Sequence, residues 1–135
     1  MDSLERALRA VYETAQSTNE AAERELEALG LTFPTAQALW AIDPDAQPPA
    51  MKELATKLHC NASNLTFVSD RLVDRGFVER RESEHDRRSR VLTLTAEGKR
   101  VRKLAIAALK RASPLAGCSS TELKAIAKSL SAQSV

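Results

Sequence analysis

The sequence predicts a mainly α-helical fold with one small β-hairpin, and three observations carry that expectation. Leu and Ala dominate an apolar fraction of 43%, which favours helix, and only short clusters are β-branched or aromatic. Two short amphipathic segments, residues 51–58 and 61–75, are separated only by the link His59-Cys60. They are followed by an arginine-dense run, Arg80-Arg81-Glu82-Ser83-Glu84-His85-Asp86-Arg87-Arg88-Ser89-Arg90, flanked by β-prone pieces at residues 77–81 and 90–94. A hairpin so charged cannot be a core element. Helix, turn, helix and basic hairpin, in that order, make a winged helix-turn-helix arrangement.

The first element is a long helix. Leu4, Leu8, Val11, Ala15, Ala22, Leu26 and Leu29 recur at three-, four- and seven-residue intervals, and Gly30 stops the stripe. One small domain cannot cover so long a stripe, so part of it is expected to meet another chain. Phe33-Pro34-Thr35 opens a second helix at about residues 35–42, with Leu39, Trp40 and Ile42 apolar. Pro44 and Pro48-Pro49 then force a loop, because proline lacks an amide donor and restricts its neighbour. Met51, Leu54, Ala55 and Leu58 give the third helix its buried side, and Leu65, Val68, Leu72 and Val73 the fourth. His59 sits in the turn, where a positive φ is often needed, and Gly76 fits the left-handed position that closes a helix. After the hairpin, Thr95 caps a fifth helix reaching about residue 112, which Pro114 and Gly117 break. Ser119-Ser120-Thr121-Glu122 reads as a capping box for a last helix carrying Leu123, Ile126 and Leu130.

Composition narrows the class of function. A net charge of +2 hides an asymmetry: residues 1–50 hold three arginines against nine acids, and residues 51–135 hold seventeen Lys/Arg against nine acids. The basic part points to a polyanion partner. No apolar run approaches the roughly 18 residues of a membrane span, and no basic-then-apolar leader is seen, so a cytoplasmic location and no membrane partner are expected. Cys60 and Cys118 lack any metal-ligand spacing and read as ordinary thiols.

The outward side of the fourth helix presents Asn61, Ser63, Asn64, Thr66, Phe67, Asp70 and Arg71. Short amides and hydroxyls near a helix start suit base edges and phosphates, and an exposed phenyl ring suits a thymine methyl. Such a polar face is also what any surface helix has. The combination is more specific: Glu53-Leu54-Ala55, then Leu65-Thr66 and Asp70-Arg71-Leu72-Val73-Asp74-Arg75-Gly76-Phe77-Val78-Glu79-Arg80, then Asp86-Arg87-Arg88 and Leu92-Thr93-Leu94-Thr95-x-x-Gly98. Over about residues 31–100 this resembles the MarR (multiple antibiotic resistance regulator) family of winged-helix transcription factors.

The resemblance implies a single domain of that type. Residues 1–30 and 95–135 would be dimerisation helices, and 31–94 the DNA-binding lobe of a homodimer on double-stranded DNA with an inverted-repeat operator. Residues 61–75 would be the recognition helix and 83–90 the wing. Asp86 would brace the wing by pairing with Arg71 or Arg75. Arg88 would enter the minor groove, Arg87 and Arg90 would meet phosphates, and Lys52 and Thr35 would make contacts from helix N-termini. The family's small aromatic effectors bind between the dimer helices and the lobe, which would place Tyr12, Phe33, Leu39 and Trp40 at such a cleft, although Trp40 reads first as core. His59-Cys60 is an unusual turn for the family, and Glu84-His85 replaces a proline often found before the Asp-Arg-Arg run.

Catalysis needs a nucleophile, a base and a group that orients the base. The only histidines, His59 and His85, both fall on expected loops, so neither a catalytic residue nor a cofactor is expected. A metal site from His59, Cys60 and His85 lacks ligand spacing, and none is expected. Two rival functions remain beside a repressor-type regulator. One is a winged-helix module that docks protein through its last helices. The other is a redox sensor built on Cys60, which stands just before the recognition helix. The plainer reading of Cys60, a small packing residue in the turn, is preferred.

Overall fold

The computed structural model describes residues 1–131. In chain order the elements are α1 (Ser3–Ala28), α2 (Phe33–Ala41), α3 (Met51–Lys57), α4 (Ala62–Asp74), β1 (Val78–Glu82), β2 (Arg90–Leu94), α5 (Ala96–Ala112), a 3₁₀ turn (Pro114–Gly117) and α6 (Ser120–Ser131). They fall into two compact units. One is Glu23–Ala108, and the other joins Met1–Ala22 to the chain from Leu109 onward. Residues 132–135, the end of the expected 95–135 segment, lie outside the described residues. No described helix is long and apolar enough to cross a membrane.

In the Glu23–Ala108 unit, three helices end in the same way. After α1, the Leu31 amide donates to the Leu26 carbonyl and the Gly30 amide to Glu27. After α3 the pairs are Cys60 to Ala55 and His59 to Thr56, and after α4 they are Phe77 to Leu72 and Gly76 to Val73. This double closure needs one residue with positive φ. Gly30 (φ +80°), His59 (φ +53°) and Gly76 (φ +76°) supply it. Glycine does so freely, whereas His59 bears the cost of its Cβ.

The second helix begins earlier than its apolar pattern suggests, at Phe33 rather than Thr35. Thr32 is the cap: its hydroxyl accepts from the Thr35 amide, while the Thr32 amide donates to the Thr35 hydroxyl at 2.8 Å. Pro34 fits because the first turn has no use for its missing amide hydrogen. At the other end, Arg102 donates to the carbonyls of Leu39 (3.1 Å) and Trp40 (2.9 Å), groups that a helix end leaves without partners. Leu39 is wholly buried, while Trp40 is 48% exposed and so is not the core residue its apolar character suggested.

The hairpin pairs antiparallel, Val78 with Leu94, Arg80 with Leu92 and Glu82 with Arg90. The strand before it starts one residue later than the β-prone piece, because Phe77 is needed to close α4. The proline loop contributes to the sheet as well. Ala50 bridges to Val91, and the Pro49 carbonyl accepts from the Leu92 amide. Proline can give a sheet a carbonyl even though it has no amide hydrogen to offer.

Thr95 holds the start of α5 against the end of α4. Its amide donates to the Phe77 carbonyl, its hydroxyl donates to the Gly76 carbonyl at 2.6 Å, and the same hydroxyl accepts from the Gly98 amide at 2.9 Å. Gly98 has a steric reason to be there: a Cβ on it would stand 1.8 Å from the Phe77 carbonyl oxygen. In the other unit, Ser119 and Glu122 form the reciprocal cap of α6. The Ser119 backbone amide and hydroxyl hold the exposed Glu122 carboxyl below its ordinary range.

Two substitutions test these backbone constraints by thermal unfolding. Gly98→Ala is expected to destabilise the chain by about 3 kcal/mol, the upper end for overpacking, because backbone and not a flexible side chain must move. His59→Gly is expected to stabilise it by about 1 kcal/mol by relieving the left-handed strain. A lowered melting temperature for His59→Gly would show that the imidazole contributes contacts worth more than the strain.

Candidate nucleic-acid interface

The inner side of α4 is set by Leu65, Ser69 and Leu72, all at most 2% exposed. At 100° per residue this inner stripe turns Ser63, Thr66, Phe67, Asp70 and Arg71 outward, and all five are exposed. Asn61 is the N-cap and not a free amide: its side-chain oxygen accepts from the Asn64 amide at 2.8 Å. The Thr66 hydroxyl donates to the Ala62 carbonyl, leaving its oxygen able to accept. Phe67 is 61% exposed, and the Arg71 guanidinium lies 5.1 Å from its ring centroid, a cation–π stack that holds both side chains at the surface.

The hairpin tip is ordered by its own local hydrogen bonds. The Ser83 amide donates to the Ser89 carbonyl, and the Ser89 amide to the Asp86 carbonyl. The Asp86 carboxylate accepts from the Arg88 amide at 2.9 Å. The expected pairing of Asp86 with Arg71 or Arg75 is therefore corrected: Asp86 shapes the turn from within. The reason is proximity, since an Asp side chain reaches the amide two residues on more readily than another element. Arg87 and Arg88 are exposed, and among the described residues neither is in an ion pair. Arg90 faces Glu82 across the strands at 3.9 Å and donates to the Arg87 carbonyl. Lys52 is exposed in the first turn of α3.

Other expected site residues are placed differently. Thr35 is buried, with its hydroxyl engaged by Thr32, so it is no N-terminal surface contact. Arg75 is turned across Gly30, where a Cβ would meet its guanidinium at 3.1 Å. On that flank of α4 a groove of about 820 Å³ is lined by Leu31, Pro34, Cys60, Phe67, Arg71 and Arg75, among others. None of Tyr12, Phe33, Leu39 and Trp40 lines it. Leu39 is excluded from any ligand by complete burial, and Tyr12 is 66% exposed in the other unit. Among the described residues no group of His, Cys, Asp and Glu could hold a metal.

The opposite flank of α4 holds a feature that the apolar pattern of the sequence does not reveal. Arg80 on β1 forms an ion pair with Asp70, and the same nitrogen donates to the Ser69 hydroxyl at 2.7 Å. Ser69 in turn donates to the Thr66 carbonyl. A signal for this was present. Arg80 shares a strand face with the buried Val78 and lies opposite the buried Leu92, a position where an arginine needs a partner.

Residues 38–89 match the family model described as the MarR family. A Bacillus subtilis (strain 168) protein, the uncharacterized HTH-type transcriptional regulator YfiV, is 43% identical over 51 residues, which make up 38% of this chain and 32% of that one. The chain thus spans about a third of that relative's length. Solved structures resemble it along nearly its whole length. The MarR family regulator AbsC from Streptomyces coelicolor has a TM-score of 0.75 at 23% identity, covering 96% of this chain and 90% of that one. CouR from Rhodococcus jostii RHA1, bound to p-coumaroyl-CoA, has a TM-score of 0.80 at 24% identity with the same coverage. A cysteine-to-serine mutant of MarR from E. coli, complexed with operator DNA, has a TM-score of 0.71 at 21% identity and covers 97% of each chain. At these identities the structures speak for the fold, and the matched segment speaks for the family. It contains α3, α4, the first strand of the hairpin and the arginines of its tip, Arg87 and Arg88, and over those residues the chain is similar to the MarR family.

Proposed function

We propose that the chain is a sequence-specific regulator that binds double-stranded DNA as a homodimer and represses by occupying an inverted-repeat operator. One observation carries this reading. A single unit presents both the polar outer side of α4 and a hairpin tip whose Arg87 and Arg88 lie outside any ion pair among the described residues. The helix suits base edges in a major groove, and the tip suits phosphates and the adjacent minor groove. Lys52 adds a cation at the first turn of α3.

A second copy of the chain is the partner that the terminal helices favour. Leu4, Leu8 and Val11 of α1 and Leu123, Ile126 and Leu130 of α6 are between 37% and 75% exposed, in the unit formed by the two ends of the chain. Apolar side chains at helical spacing on both terminal helices are what a dimer would cover. A two-fold axis then calls for half-sites roughly 34–36 Å apart. Release by a small organic effector, aromatic in the simplest case, belongs to the same reading. The groove beside α4 is apolar with two arginines, and a guest there would touch Asn64, Phe67 and Arg71.

Sedimentation at micromolar concentration is expected to give twice the chain mass, and a monomer that binds DNA specifically would overturn the dimer. With a duplex recovered by binding-site selection, Arg88→Ala is expected to lose roughly 1–3 kcal/mol of binding. Lys52→Ala is expected to weaken all sequences alike and to flatten the log–log salt dependence by about one unit, as for one phosphate contact. Unchanged affinity of Arg88→Ala for that duplex would remove the wing from the reading.

A further inference from the structure

Asp70 is out of place on a surface meant for DNA. It stands on the outward side of α4 beside Thr66 and Phe67, with its side chain 53% exposed, and a bare carboxylate there would face phosphates. The hairpin supplies the answer. One Arg80 nitrogen has two hydrogens and directs them to two acceptors on α4, the Asp70 carboxylate and the Ser69 hydroxyl. Ser69 is completely buried and donates its own hydrogen to the Thr66 carbonyl. The chain of donors therefore runs from β1 into the backbone of α4, with every partner fixed. The Arg80 side chain is 34% exposed. A guanidinium nitrogen already committed to two acceptors is poorly placed to leave them for a phosphate.

We propose that Arg80 is a positioning residue for DNA recognition, cancelling the Asp70 charge on the reading side of α4 and fixing the hairpin's angle to that helix without touching DNA. The inference rests on the DNA-binding reading above and adds a device to it. It divides the arginines of the hairpin into two kinds. Arg87 and Arg88 are held outward by backbone turns, and Arg80 is turned inward to hold the helix and the wing as one body. Loss of Arg80 exposes a negative charge where phosphates approach and frees the hairpin to tilt. Loss of the charge and its partner together leaves a neutral hydrogen-bonding pair in the same place.

The test uses full-length chains and two labelled duplexes, one recovered by selection with the wild type and one of random sequence. Arg80→Gln is expected to weaken binding to the selected duplex about 10- to 100-fold, as for an uncompensated like charge at an interface. The double variant Arg80→Gln with Asp70→Asn is expected to recover to within about threefold of wild type. Ser69→Ala, which keeps both charges, is expected to weaken the selected duplex by about threefold and leave the random one unchanged, because it loosens the geometry alone. A double variant as weak as Arg80→Gln would mean that Arg80 contacts DNA itself and would overturn the proposal. So would wild-type affinity for Arg80→Gln. Should Arg80→Gln lose its cooperative thermal transition, the double variant decides alone: wild-type selection supports the proposal, and lost selection with an intact transition sinks it. A wild-type chain that selects no duplex at all overturns the DNA reading, a result distinct from each of these.

Discussion

Covering one stripe of α4 is the constraint on which the lobe depends. Leu65, Ser69 and Leu72 vanish completely beneath α2, α3 and β1, the three elements packed against that helix. With 3.6 residues per turn, fixing this stripe fixes every other position on the helix. Burial on one side is thus what aims Ser63, Thr66, Phe67 and Arg71 at the exterior. A rotation by a single residue would bury Phe67 or Asp70 and expose Leu65, with a cost of several kcal/mol in lost apolar burial and stranded charge. The outward face of the helix is a consequence of the core.

The backbone closures serve the same end. Gly30, His59 and Gly76 each turn the chain sharply after a helix, and each closure brings the residue that follows back onto the end of the preceding helix. Leu31 returns towards Leu26 in this way and Phe77 towards Leu72, so the turns at Gly30 and Gly76 each bury an apolar pair. Thr95 and Gly98 then seat the start of α5 on the turn after α4. The hairpin leaves and re-enters the lobe between two fixed points, Phe77 and Thr95. Its tip can carry a dense positive charge because nothing in the core relies on it.

The two flanks of α4 face different environments. On one, Arg71 stacks on Phe67 and Arg75 crosses Gly30 at the edge of an apolar groove. On the other, Ser69 and Asp70 meet Arg80 from the hairpin. A helix held between a groove and a hairpin can be influenced from either side through side chains that also stand on its outer face. The first flank borders an open groove, whereas the hairpin flank is closed by the hydrogen-bonded network of Ser69, Asp70 and Arg80.

The order of elements, the helix-turn-helix, the basic hairpin, the left-handed closures at His59 and Gly76 and the caps at Thr95 and Ser119 were all legible in the sequence. Each follows from a local rule: apolar period, glycine or proline, or a hydroxyl three residues before the group it caps. The start of α2 and the place of Trp40 were not legible. Threonines at 32 and 35 are equally good caps by composition, and an apolar residue next to a buried one looks buried until the fold shows which side is covered. Tertiary structure alone decided what the charges do. Asp86 turned inward to its own loop, Arg102 went to the end of α2, and Arg80 crossed from a strand to Ser69 and Asp70. Apolar periodicity records which side of an element is buried, because burial acts on every turn of it. A long charged side chain can reach any of several elements, and only their final arrangement selects the partner.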